Sequence, residues 1–77
     1  MNQLTLSRLN DQVYRVLTDS GEHMGNLKLI AGAWKFKAIG YEAGGDIVPG
    51  GGPLTHHHNT IFTDLDVSVV NARLLVP

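Results

Sequence analysis

Two alternating runs, His23 to Ile30 and Ala33 to Tyr41, flank the pair Ala31-Gly32. A two-residue hairpin closed there sets Ile30 against Ala33, Leu29 against Trp34, Lys28 against Lys35 and Leu27 against Phe36. Side chains alternate faces along a strand. This register therefore gathers Leu27, Leu29, Trp34, Phe36 and Ala38 on one face and Lys28, Lys35 and Lys37 on the other. A slip of one residue would mix the two sets, so the pattern excludes most other pairings. One local objection is Ala31. A type I′ turn needs positive φ at both central residues, which alanine resists, and this argues for a loop longer by one or two residues.

Upstream, Leu4-Thr5-Leu6-Ser7 alternates apolar and polar as a half-buried strand does, and Asn10-Asp11 reads as a turn. Val13 to Thr18 is rich in β-formers and reads as a second strand. Asp19-Ser20-Gly21-Glu22 is a turn cluster. A four-residue loop there places Tyr14 opposite Leu27, Val16 opposite Gly25, and Arg15 in the row of Lys37. A three-residue loop inverts the strand and turns Val13 and Leu17 inward. The residues themselves favour neither.

Residues 43–60 break the alternation. Gly44 to Thr60 contain five of the nine glycines, two of the three prolines and three of the four histidines. Regular structure is expected to stop after Tyr41 and resume near Thr60, with at most a short strand at Ile47-Val48. A connection of that length in a small chain is usually functional or mobile. Residues 61–77 read as a helix, with Thr63 as its cap and Asp64 and Asp66 in the first turn. Phe62 would staple onto Val67. Leu65, Val69, Ala72 and Val76 would line the buried face, with Val70 and Leu74 beside them. The alternation from Asp64 to Val69 supports a strand instead, but the cap and the run Asn71 to Leu75 favour the helix.

Seventy-seven residues make one domain, and a chain this small buries only about 60% of its unfolded surface. Such chains often lean on disulfides, metal or oligomerisation. The absence of cysteine excludes disulfides and thiolate metal sites. A net charge of −1 gives no global attraction to nucleic acid or anionic membranes. An apolar fraction of 43% with 17% charged residues suits a globular chain. No apolar run approaches the roughly 20 residues of a membrane span, and Met1 to Thr5 lacks the pattern of a signal peptide. The expected location is the cytoplasm.

Three groups of residues carry candidate chemistry. On an extended chain His56 and His58 project to one side and reach a common metal, with Asp46, Asp64, Asp66 or His23 completing the set; zinc, nickel or copper suits such ligands. No two-cluster metal spacing accompanies them, and a packed or solvated loop is the plainer reading. Gly50, Gly51, Gly52 and Thr55, with His57 and Asn59, form a candidate ligand or partner loop, because glycines let backbone amides converge on an anion. No lysine follows Lys37, so this is not a Walker loop, and a turn passing close to another backbone is the alternative. Lys28, Lys35 and Lys37 make a basic sheet face, joined by Arg15 if the longer turn holds. Sheets that bind RNA also display aromatics, whereas Trp34 and Phe36 fall on the other face. No nucleophile elbow or paired acidic motif suggests an enzyme.

The sequence thus predicts an α+β chain, residues 1–77 forming one domain. Antiparallel strands within 1–42 form a three- to four-stranded meander, 43–60 a Gly/Pro/His-rich loop, and 61–77 a C-terminal helix packed on one face. The function expected is a small non-catalytic binding or protein-interaction module, without cofactor. It is expected to form a homodimer, through an open sheet edge or by exchange of its C-terminal segment. A histidine-loop metal protein and a nucleic-acid binder using the basic face are the alternatives.

Overall fold

The computed structural model describes residues 3–76. Four strands follow one another as a meander: β1 (Leu4–Asn10), β2 (Val13–Thr18), β3 (His23–Ile30) and β4 (Ala33–Tyr41). Two short strands, β5 (Ile47–Pro49) and β6 (Ile61–Phe62), both pair antiparallel with β4, so the sheet has six strands in the order β1-β2-β3-β4-β5, with β6 also on β4, at Trp34 and Lys35. A 3₁₀ turn (Thr55–His57) lies between them, and one helix, α1 (Val67–Leu74), ends the fold. The α+β class and antiparallel sheet match expectation. The structure has more strands than the three or four expected, because β5 and β6 lie in and just after a segment expected to be irregular.

The β3–β4 register is the one that the alternation demanded, from Ile30↔Ala33 to Leu27↔Phe36. The turn is also the two-residue one. Ala31 takes φ 51° and Gly32 φ 81°, so the alanine accepts a left-handed conformation to keep both strands in register. Between β2 and β3, Tyr14 pairs with Leu27 and Val16 with Gly25, as the four-residue loop required. A bulge follows, where Leu17 pairs with His23. The extra residue inverts the alternation at the start of β3: Met24 enters the core and His23 passes to the outer face.

One face of the sheet supplies the core residues Leu4, Val16, Leu27, Phe36 and Ala38, with Leu6, Tyr14 and Trp34 packed against them. Leu54, Phe62, Val70 and Leu74 cover them from the C-terminal third of the chain. Trp34 is only half-buried and meets Tyr14 edge-on at 5.5 Å.

The helix begins later than its expected cap. Asp66, not Thr63, is the N-cap, and its Oδ1 accepts from the Ser68 and Val69 amides at 2.9 and 3.4 Å. Phe62 is not a staple residue; it is recruited into β6 opposite Trp34. The buried positions are therefore Val70 and Leu74, four residues apart, while Val69 and Val76 stay 43% and 49% exposed. Eight residues are too few for a helix to persist alone, so burial of Val70 and Leu74, worth about 1.5–3 kcal/mol each, holds it. No helix among the described residues is long and apolar enough to cross a membrane.

Candidate functional site

The segment between β4 and α1 lies along the free edge of β4. Residues whose backbone groups point away from β3 are Trp34, Phe36, Ala38 and Gly40. Each finds a partner. Trp34 pairs with Phe62 and Gly40 with Val48. The Phe36 amide donates to the Thr60 carbonyl at 2.8 Å, and its carbonyl accepts from Asn59 at 2.7 Å. The Ala38 carbonyl accepts from the Gly50 amide at 2.8 Å, and the Ala38 amide donates to Nδ1 of His58 at 3.0 Å. An imidazole thus completes the ladder where the incoming backbone does not reach. Because Nδ1 accepts, the ring is in the tautomer protonated at Nε2.

Close backbone approach explains Gly40 and Gly52. A Cβ on Gly40 would lie 2.6 Å from the Gly52 nitrogen, and one on Gly52, at φ 86°, would overlap the Ile39 carbonyl. Thr55 donates its hydroxyl to the Gly50 carbonyl at 2.6 Å, closing the loop beneath Leu54, which anchors it in the core.

The three histidines have different partners. His56 packs its ring against His57 at 4.2 Å, His57 Nε2 binds the Val76 carbonyl at 2.7 Å, and His58 binds the Ala38 amide. The premise of an extended run fails, since Thr55 to His57 is a 3₁₀ turn. Among the described residues no three His, Cys, Asp or Glu side chains gather to hold a metal ion. Asn59, at φ 74°, turns its Oδ1 to Lys37 Nζ at 2.6 Å. Gly50, Gly51, Gly52, Thr55, His57, His58 and Asn59 are thus brought together mainly by contacts with the protein itself.

The outer face of the sheet is different in kind. Arg15, Asn26 and Lys37 form one row across β2, β3 and β4, and Lys28 and Lys35 pair directly in the next. All seven carboxylates, from Asp11 to Asp66, lie outside the strands and the helix. Among the described residues the sole ion pair joins Arg8 to Asp11, leaving the cations of this face without a carboxylate partner. Two aromatic rings share the face. Tyr41, 51% exposed, donates to His23 Nδ1 at 2.8 Å, while His23 Nε2–H donates to Asn26 Oδ1 at 2.9 Å. Two cavities on this side share Ile39, and the larger is lined by both rings. One, of about 350 Å³, includes Asn26, Lys28, Lys37 and Ile47; the other, of about 490 Å³, includes Glu22, His23, Met24, Tyr41 and Pro53.

Sequence reasoning missed this aromatic pair. Tyr41 has the same parity along β4 as Lys35 and Lys37, so its side was legible. His23 has the wrong parity, and only the bulge turns it outward. No family model matches the chain, and neither curated proteins nor solved structures provide a match.

Proposed function

We propose that this chain is a non-catalytic binding module that pairs with a second copy of itself along β1. The observation that supports this reading is an open sheet edge. Asn71 Oδ1 accepts from the Leu4 amide at 2.6 Å, and Asn71 Nδ2 donates to the Leu4 carbonyl at 3.0 Å, so Leu4 faces away from β2. By strand alternation Leu6 and Arg8 face the same way, and no partner among the described residues meets their backbone groups. An antiparallel pair centred on Ser7 would set each Leu6 opposite Arg8 of the other copy and satisfy both. Asn71 stops the pairing at Leu4, which keeps the contact short and the register single. A cytoplasmic location belongs to the same proposal, since a chain without cysteine loses nothing in a reducing compartment.

Native mass spectrometry of the untagged chain over a range of concentrations tests the pairing, with Arg8→Pro as the variant. Proline there removes an outward amide and leaves the β1–β2 ladder intact. The expected result is a dimer that Arg8→Pro converts to a folded monomer, with circular dichroism unchanged. A wild-type monomer at high micromolar concentration would sink the self-pairing, and a dimer indifferent to Arg8→Pro would sink this edge as its site.

A further inference from the structure

We propose that the outer face of the sheet binds single-stranded nucleic acid, its phosphates along Arg15, Lys28, Lys35 and Lys37 and a base against Tyr41 and His23. The inference rests on reading the chain as a non-catalytic binding module and is independent of self-pairing. Charge is the first argument. Lys28 and Lys35 stand directly opposite each other, an arrangement that costs free energy, and no carboxylate on the face relieves it. The chain as a whole carries −1, so this positive field is a local feature, created by placing the carboxylates in turns. Lys35 and Lys37 lie about 7 Å apart along β4, and Arg15 and Lys37 roughly 10 Å apart across two strands, a patch able to meet several consecutive phosphates.

The rings select the class of polyanion. Tyr41 is held by His23, and His23 by Asn26, so the phenol is oriented before any ligand arrives. Beside it the cavity of about 490 Å³ offers Met24, Ile39 and Pro53 to a base, with Glu22 its one carboxylate, and across Ile39 the other cavity offers Lys28 and Lys37 to a phosphate. The exposed Tyr41 ring, with His23 tilted 50° to it at 6.1 Å, lies next to a cationic groove, an arrangement that suits a base stacked on the phenol and its phosphate beyond. An anionic membrane or an acidic peptide presents charge without the planar ring that this arrangement suits. Readout by stacking and by phosphate contacts is tolerant of sequence and does not distinguish RNA from DNA.

Fluorescence polarisation with short labelled oligouridine and oligothymidine tests this on the full chain and on Arg8→Pro, which separates ligand binding from self-pairing. Both oligonucleotides are expected to bind. Affinity should fall about fifty-fold between about 50 and about 200 mM salt if four phosphates are engaged. The Lys28→Gln/Lys35→Gln double variant should roughly halve the logarithmic salt slope. Tyr41→Ala should weaken binding about tenfold or more, while Tyr41→Phe keeps most of it. The proposal is overturned by no salt-sensitive binding, by Tyr41→Ala binding like wild type, or by phosphatidylserine vesicles being retained when the oligonucleotides are not. Oligonucleotide recovered cleaved would uphold the site and sink the non-catalytic reading.

Discussion

On one side the sheet ends in β4, whose outward backbone groups from Trp34 to Gly40 are all met by residues between Val48 and Phe62. On the other it ends in β1, where Asn71 meets Leu4 and nothing among the described residues meets the outward backbone groups of Leu6 or Arg8. The first edge is covered by a continuous run of chain with its own core anchor, Leu54; the second is touched by one amide side chain. Gly50, Gly52 and His58, from the unusual stretch 43–60, serve the first. Glycines permit the approach to β4, and His58 fills the one position that the approach leaves unpaired. The contrast teaches that a conspicuous loop can be a means of hiding a strand, while an ordinary strand stays available.

The largest effect should come from Gly52→Ala. A Cβ there overlaps the Ile39 carbonyl at a backbone conformation that alanine avoids, so urea denaturation should show a loss of about 3 kcal/mol or more. A loss below about 1 kcal/mol would mean that the β4 cover does not depend on the close passage at Gly40. Asn71→Ala removes both bonds to Leu4 and should cost about 2 kcal/mol. It also lengthens the free part of β1, so self-association should strengthen as the monomer weakens. If both fall together, Asn71 is part of the contact and not its limit. His58→Ala should cost about 1–2 kcal/mol by orphaning the Ala38 amide, whose hydrogen exchange should quicken while the Phe36 amide stays protected. His58→Asn, which keeps an acceptor, should recover part of the loss.

What the sequence revealed of this architecture follows from the range over which each signal acts. The β3–β4 hairpin was legible because its alternation runs for the full length of both strands and only one register sorts it. Ile47-Val48 hinted at β5 and nothing hinted at β6, because three and two residues carry no period and both form only against β4. The helix was recognised but displaced. Thr63 and Asp66 are both good caps, and the choice was made by Phe62, which the sheet claimed for β6. The histidine run drew attention to this stretch, but a side-chain bond from His58 to a backbone amide 20 residues away leaves no local trace in the sequence. Lys28, Lys35 and Lys37 share a face through the β3–β4 register, whereas His23 reaches that face only through the bulge at Met24.

The bond between Asn71 and Leu4 spans 67 positions of the chain. During synthesis, therefore, β1 to β4 leave the ribosome before any of the groups that close either border of the sheet. A nascent chain that has reached Tyr41 presents two naked borders, and neighbouring chains on one messenger are close enough to find them. Lys28, Lys35 and Lys37 put like charge on β3 and β4, and charged side chains of this kind disfavour pairing with another chain.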